Sequence, residues 1–191
     1  MRKFFLTLML LSAFIFGVDS IAATQNPRVL VETNMGNFEI MLFQKEAPKT
    51  VRNFLIYVRS GFYEGTIFHR VIRGFVIQGG GFDVNMHEKR TRGPIKNEAD
   101  NELKNLAYTL SMARTNDPHS ATSQFFINLV DNKMLDYQAS TQQGWGYAVF
   151  GKVIRGQGLI DSIGNVPTRR IGPYSDVPST PIIVSRMSII Q

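Results

Sequence analysis

The sequence predicts a mainly β domain, either a closed antiparallel barrel or a β-sandwich, with two short helices. Many short apolar runs lie between clusters of Gly, Pro, Asn and Asp, helical spacing is confined to two segments, and no repeat or heptad is present. The chain has 191 residues, of which 43% are hydrophobic and 19% are charged. One domain with a packed core is therefore expected, and general disorder is excluded.

The amino terminus has the order of a secretory signal peptide. Two basic residues follow the initiator methionine, residues 4–18 are almost wholly apolar, and small side chains follow at Ala22 and Ala23. We predict that residues 1–22 are removed, by cleavage after Ala22 or Ala23, and that residues 23–191 form one exported domain. The alternative is an uncleaved anchor, but the apolar run is shorter than the roughly 20 residues that a spanning helix needs.

The first element predicted within the domain is a β-hairpin. Apolar runs at residues 29–31 and 38–43 flank residues 34–37, and apolar and other side chains alternate along the second run. Alternation beside a turn that contains Gly and Asn is typical of two paired strands.

A helix is predicted over residues 48–60. Its apolar side chains recur at i, i+3, i+4 and i+7 from Val51, which places them on one helix face. Pro48 suits the first turn of this helix, and Gly61 suits the position after its last turn. A second, shorter helical stripe ends before Gly164.

The remaining strands are predicted from further short apolar runs. These runs cover residues 67–72, 75–78, 108–112, 125–130, 147–153 and 182–190. The polar, glycine-containing stretch over residues 138–146 predicts an exposed loop.

Composition excludes several kinds of chemistry. The chain has no cysteine, which rules out disulfides, thiolate metal sites and a thiol nucleophile. Its three histidines, His69, His87 and His119, lack the spacing of metal ligands, and no Gly-x-Ser-x-Gly sequence indicates a serine hydrolase. The net charge of +6 permits a nucleic-acid partner, but the basic residues are scattered and have no RNP-like aromatic motif. We therefore predict no metal site and no nucleic-acid partner.

Arg70 is a candidate for chemistry within an otherwise apolar strand. Strict alternation would place its side chain on the same face as Phe68 and Ile72, opposite His69 and Val71. A solvated surface arginine is the common outcome for such a residue. The functional alternative is a guanidinium on an apolar platform, where its rigid donors would face a polar group of a ligand.

Three glycines, residues 79–81, lie shortly after this strand. A phosphate-binding loop would need a Lys-Ser/Thr pair and a strand–loop–helix context, and both are missing from the sequence. Tight turns and close backbone approach are the better interpretation of these glycines.

A neutral pocket is indicated by residues 111–114 and 123–128, which combine small, amide and aromatic side chains. Phe125 and Phe126 are consecutive in a strand, so one should face inward and the other outward. An outward phenylalanine beside Ala113 would form a shallow apolar pocket, whereas in the alternative both rings belong to the core. These residues favour binding over bond breaking.

The order and spacing of these motifs resemble one family, the cyclophilins, which are peptidyl-prolyl cis/trans isomerases. The resemblance runs through essentially all of residues 23–191 and includes features of the bacterial periplasmic cyclophilin A type. The matching segments are residues 68–72 (FHRVI), 74–80 (GFVIQGG), 94–100 (PIKNEAD), 110–113 (LSMA), 123–127 (SQFFI), 146–150 (GYAVF) and 149–153 (VFGKV).

The resemblance implies an eight-stranded, closed antiparallel β-barrel capped by two α-helices, with the site on the outer barrel face. It implies that Arg70 is the catalytic arginine. Gln78 and Gln124 match amides that hydrogen-bond the substrate backbone, and Arg114 matches a position whose backbone contacts substrate. The side chains that match the surroundings of a proline pocket are Phe75, Val76, Ala113, Phe126 and Leu135.

Two further substrate-binding positions depart from the eukaryotic pattern. Met134 and Tyr147 stand where eukaryotic cyclophilins have tryptophan and histidine, and a longer loop over residues 137–146 precedes Tyr147. Trp145 lies in that loop and does not match the family tryptophan. Because that tryptophan is a main contact for cyclosporin in the family, the resemblance implies that cyclosporin-type ligands bind weakly.

The resemblance also implies partners and a location. The partners are proline-containing polypeptides, unfolded or partly folded, and the exported protein is expected in the periplasm, with secretion beyond it as the alternative. A monomer without a membrane contact after signal removal is expected. Isomerisation makes and breaks no covalent bond, so no cofactor is expected.

One rival to catalysis is a cyclophilin fold that only holds proline-containing segments, as a chaperone does. The complete set of Arg70, Phe75, Gln78 and Phe126 argues against this rival.

Overall fold

Eight strands form one antiparallel sheet in the computed structural model, which describes residues 26–190. The predicted signal peptide lies outside these residues. Residues 26–190 contain ten strands in all: β1 (Arg28–Thr33), β2 (Gly36–Leu42), β3 (Thr66–Ile72), β4 (Val76–Asp83), β5 (Thr109–Met112), β6 (Phe125–Asn128), β7 (Val149–Arg155), β8 (Thr168–Ile171), β9 (Tyr174–Pro178) and β10 (Val184–Ile190). The order across the sheet is β10-β1-β2-β7-β5-β6-β4-β3, while β8 and β9 form a separate hairpin.

The sheet closes into a barrel where its two outer strands meet. The Phe68 N–H group donates to the Ile182 carbonyl at 3.0 Å, and the Gly65 N–H group donates to the Val184 carbonyl at 2.9 Å. Closure of this kind removes the free edges that an open sheet or a sandwich retains. The predicted barrel is therefore confirmed, and the sandwich alternative is wrong.

Both predicted helices are present, as α1 (Pro48–Arg59) and α2 (Gln157–Ile163). The apolar face of α1 packs into the core, where the Phe54 ring meets the Phe125 ring edge-on at 5.5 Å. At its end the Gly61 N–H group donates to the Val58 carbonyl at 3.1 Å, and the Phe62 N–H group donates to the Tyr57 carbonyl at 3.0 Å. This is the Schellman arrangement that the position of Gly61 predicts.

The start of α1 is capped from a distant loop. Ala47 occupies the capping position and offers no side-chain acceptor. The Glu98 carboxylate instead accepts from the Lys49 N–H at 3.1 Å, the Thr50 N–H at 2.9 Å and the Thr50 hydroxyl at 2.8 Å. A carboxylate at a helix N-terminus satisfies free donors and opposes the positive end of the helix dipole.

The glycines of β4 are explained by close packing, as predicted. A Cβ atom on Gly79 would lie 2.8 Å from the Phe68 ring. Gly80 has φ of +82°, and its Cβ would lie 2.9 Å from the Tyr63 ring. Because these residues are inside a strand, a phosphate-binding loop is excluded.

The alternation predicted for β3 is wrong at one point. The pairing of β3 with β4 shifts between Phe68 and Arg70, which marks a β-bulge. Phe68 and Val71 consequently both belong to the core, while Arg70 lies at a cavity outside it. Phe68 and Arg70 are therefore on different faces, contrary to the simple period of two.

Each predicted strand overlaps an observed strand, but the β8–β9 hairpin is an addition. Its first strand has no buried residue, so the apolar pattern on which the other strands were predicted is missing there. Among residues 26–190, the longest helix is too short to span a membrane.

Candidate functional site

A cavity of about 150 Å³ opens on the outer side of the barrel. Its walls come from β3, β4, β6 and from the loops that follow β5 and β6. The structure thus brings together segments that are far apart in sequence. Nine residues line the cavity, and all nine are among the predicted site residues: Arg70, Phe75, Val76, Gln78, Ala113, Arg114, Phe126, Leu135 and Tyr147.

The Arg70 guanidinium lies at the end of a row of side-chain amides. Its Nη1 atom is 3.5 Å from the Gln78 Oε1 atom, and the Gln78 Nε2 atom donates to the Gln124 Oε1 atom at 3.0 Å. A separation of 3.5 Å makes only a weak hydrogen bond. Among residues 26–190 the guanidinium makes no other hydrogen bond, so its remaining donors are available to a ligand.

The apolar part of the cavity depends on the alternation of two phenylalanines. Phe125 points into the core, and Phe126 points outward to the cavity, where Ala113 leaves room beside it. The Tyr147 ring meets the Phe126 ring edge-on at 5.5 Å. The predicted outward phenylalanine beside Ala113 is confirmed, and the result is a shallow apolar surface next to a cation.

Arg114 forms a wall of the cavity with its side chain. Its guanidinium carbon lies 4.6 Å from the centre of the Tyr147 ring, a cation–π distance. Its Nε atom donates to the Gly146 carbonyl at 3.0 Å, and its Nη1 atom donates to the Thr115 carbonyl at 2.9 Å. The resemblance implies a contact through the backbone of Arg114, whereas the structure adds the side chain to the site.

Two predicted site residues lie outside the lining of this cavity. Gln124 faces an adjoining cavity of about 180 Å³, which also touches Gln78, Ala113 and Arg114. Met134 is 76% exposed, although its neighbour Leu135 lines the cavity. The structure thus places Gln124 beside the site and Met134 at its rim, in solvent.

A group of buried asparagines supports the site and was not predicted. The Asn132 side-chain amide donates to the Phe75 carbonyl at 3.0 Å and to the Asn128 Oδ1 atom at 2.8 Å. The Asn128 amide in turn donates to the Thr109 hydroxyl at 2.9 Å. These bonds fix the backbone at Phe75. Asparagine in a loop is too common for its sequence position alone to signal this role.

His69, next to Arg70, is buried rather than exposed in the site. Its ring packs 4.6 Å from the Phe82 ring, and its Nδ1 atom has no hydrogen-bond partner among residues 26–190. Burial, and then the nearby Arg70 charge, lower the pKa of His69 to about 4. The imidazole is therefore neutral near pH 7 and leaves Arg70 as the cation at this position.

The arrangement suits recognition of a compact apolar ring beside a polar acceptor. It combines a small apolar surface, a fixed guanidinium and amide groups. Among residues 26–190, no group of three or more His, Asp or Glu side chains is placed to hold a metal ion.

Comparison with known proteins gives the same family throughout. The sequence profile described as "Cyclophilin type peptidyl-prolyl cis-trans isomerase/CLD" matches residues 28–189. Peptidyl-prolyl cis-trans isomerase A of Dickeya dadantii is 52% identical over 185 residues, which cover 97% of this chain and 94% of that protein. Peptidyl-prolyl cis-trans isomerase B of Escherichia coli is 53% identical over 163 residues, which cover 85% of this chain and 99% of that protein.

The fold is also similar to solved structures. A cyclophilin type peptidyl-prolyl cis-trans isomerase of Cryptosporidium parvum, crystallised in the presence of the dipeptide Ala-Pro, superposes with a TM-score of 0.71 at 31% identity. The match covers 86% of this chain and 99% of that one.

Proposed function

Because the chain belongs to the cyclophilin-type peptidyl-prolyl cis-trans isomerases, we propose how its residues perform that isomerisation and where they do so. The substrate is an X-Pro bond of an exported polypeptide, and Arg70 is the catalytic residue. The single observation that carries this proposal is the cavity in which the Arg70 guanidinium faces an apolar surface large enough for a proline ring.

The proline ring occupies the apolar part of the cavity. Phe75, Phe126 and Leu135 hold the ring, with Val76, Ala113 and Tyr147 around it. Gln124 faces outward beside the cavity, and its amide binds a carbonyl of the substrate backbone. With the ring fixed, rotation about the X-Pro bond is confined to the carbonyl that precedes it.

Arg70 accelerates the rotation because it interacts more strongly with the twisted amide than with the planar one. Amide resonance creates a barrier of about 18–20 kcal/mol, and uncatalysed exchange takes roughly 10–100 s. In the twisted state conjugation is lost, so the prolyl nitrogen regains a lone pair that accepts a hydrogen bond. A guanidinium aimed at this nitrogen stabilises the transition state selectively, and each 1.36 kcal/mol gives about tenfold in rate.

The setting of this reaction follows from the amino terminus. Residues 1–22 direct export and are removed, so residues 23–191 act as a monomer in the periplasm on unfolded or partly folded polypeptides. We expect weak binding of cyclosporin-type ligands, since Met134 stands in place of the family tryptophan and lies in solvent.

An exchange measurement tests the role of Arg70. The protein comprising residues 23–191 is mixed with a short Ala-Pro peptide, and cis/trans exchange is followed by NMR beside the Arg70→Ala variant. Loss of one preorganised donor costs about 10²–10³ in rate, and we expect a decrease of that size for Arg70→Ala with unchanged thermal unfolding.

Arg73→Ala is the matched control, because Arg73 is an exposed arginine outside the cavity lining. It removes the same charge and should retain wild-type exchange. Near-full activity in Arg70→Ala would refute the role of Arg70. A folded wild type that accelerates no exchange would favour the rival binding module.

A further inference from the structure

A second groove lies directly beyond the proline cavity. It has a volume of about 510 Å³, more than three times that of the cavity. The two adjoin in sequence, since Leu135 lines the cavity and the next residue, Asp136, lines the groove. The other groove residues are Lys104, Asn105, Leu106, Asp131, Lys133, Tyr137 and Gln138.

The groove rests on a fixed floor. Asn105 is 1% exposed, and its N–H group and side-chain amide both donate to the Asp136 Oδ1 atom, at 2.8 and 3.1 Å. The Asn105 carbonyl accepts from the Asn132 N–H group at 2.8 Å, and Asn132 also holds the Phe75 carbonyl of the proline cavity. One hydrogen-bonded network therefore supports both depressions, so the groove is present before a ligand arrives.

Apolar side chains at the groove are unusually exposed. Leu106, in its lining, is 51% exposed, and Met134, on the turn between groove and cavity, is 76% exposed. Val130, just before the groove segment, is 41% exposed. A group of exposed apolar side chains beside a concave surface is typical of a binding site.

The groove lining carries two lysines and two aspartates, so its formal charges balance. The Asp136 carboxylate accepts two hydrogen bonds from Asn105, and the Asp131 carboxylate accepts one from the Ala107 N–H group at 2.9 Å. The Lys104 and Lys133 side chains make no hydrogen bond or ion pair among residues 26–190. The groove thus offers an apolar surface at Leu106 and Tyr137, with charges of both signs around it.

We propose that this groove binds the client polypeptide a few residues away from its proline, and that it selects an apolar side chain. The inference rests on the proposed isomerase function, because the client is the chain that already occupies the neighbouring cavity. An extended chain advances about 3.3–3.6 Å per residue, so a residue three positions from the proline lies about 10 Å away, on the far side of Leu135. Continuity with the proline cavity makes the client the occupant.

Matched peptides test the proposal. A core peptide has Ala-Pro flanked only by Gly and Ser, and two extended peptides carry Leu three residues before or three residues after the proline. We expect kcat/KM for one extended peptide to exceed that of the core by about tenfold, the size of one hydrophobic side-chain contact. Replacing Leu with Ser in that peptide should return kcat/KM to the value of the core peptide.

Variants of the protein assign the effect to the groove. Leu106→Ser should abolish the advantage of the extended peptide, whereas Met35→Ser, at another partly exposed apolar residue outside the groove, should preserve it. Equal kcat/KM for all peptides, or an advantage that persists in Leu106→Ser, would overturn the groove proposal while exchange of the core peptide still supports the isomerase. Absence of exchange with the core peptide would overturn both.

Discussion

Two consecutive residues of β3, His69 and Arg70, lie in opposite settings. The bulge turns Arg70 towards the outer cavity and leaves His69 beside Phe82, where it is 5% exposed. A histidine kept neutral by burial couples folding to pH, because the unfolded chain exposes it with an ordinary pKa of about 6.5.

The pKa of His69, about 4 in the fold, predicts a loss of stability in mild acid. A lowered pKa contributes stability above pH 6.5 that is lost progressively as pH falls towards 4. Between pH 7 and pH 4.5 we expect the free energy of unfolding to fall by about 2–3 kcal/mol through His69 alone. The measurement is urea unfolding of the wild type and of His69→Phe, which keeps an aromatic ring next to Phe82 but cannot titrate.

The wild type should lose more stability than His69→Phe over this range, since other acidic groups titrate in both proteins. Equal losses in the two proteins would mean that His69 does not control this part of the pH dependence.

At the scale of residues, the sequence predicted the lining of the cavity better than the orientation of individual side chains. All nine residues lining the cavity follow from motifs, because the family positions are tied to the chemistry of the site. The face of Phe68 does not follow, since a bulge adds one residue to the strand and breaks the period of two. Asn132 supports Phe75 through a hydrogen bond between residues 57 positions apart in the sequence. A local sequence pattern does not indicate a contact at that distance.

At the scale of elements, α1 depends on a residue outside itself. Glu98 provides three acceptor contacts at a helix start where Ala47 provides none. The helix contributes Phe54 to the core, so weakening its first turn should lower the free energy of unfolding of the whole domain.

Glu98→Ala should lower the free energy of unfolding by about 1–2 kcal/mol, the usual effect of losing a helix cap and its interaction with the helix dipole. Chemical denaturation measures this change. Glu64→Ala is the control, because Glu64 is exposed and its carboxylate makes no hydrogen bond among residues 26–190. A loss as small as that of the control would mean that solvent caps α1 equally well.

The elements that the sequence could predict are those that bury a run or a stripe of apolar side chains. The eight barrel strands and both helices have this pattern, and all were located, with ends differing by a few residues. The β8–β9 hairpin has little burial and two adjacent arginines in its first strand, so its pairing arises from the turn and from packing on β3. Neither signal is visible as periodicity.

At the scale of the whole molecule, the residue pattern did not decide whether the sheet closes, because it fitted both a closed barrel and a sandwich. It depends on hydrogen bonds between residues 65–68 and 182–184, which are remote in sequence. The choice of a barrel came from the resemblance to the family, because local patterns of strands are shared by barrels and sandwiches.

The start of the folded domain is compatible with the predicted cleavage of the signal peptide. β1 begins at Arg28, a few residues beyond the predicted cleavage, so removal of residues 1–22 leaves every described element intact. When the protein is expressed in a Gram-negative bacterium, we expect to recover it from the periplasm with the mass of a chain that begins at Ala23 or Thr24. Leu10→Arg, which interrupts the apolar run, should retain the full-length chain inside the cell. Full-length wild-type protein in the membrane fraction would instead support the uncleaved anchor.

The position of β10 determines when folding can finish. This strand pairs with β1 on one side, and the segment that leads into it bonds to β3 on the other. A polypeptide that leaves a ribosome or a translocation pore amino terminus first must therefore release residues up to about 190 before the barrel can close. Until then both β1 and β3 present unpaired edges, and the nascent chain is itself an unfolded client for chaperones.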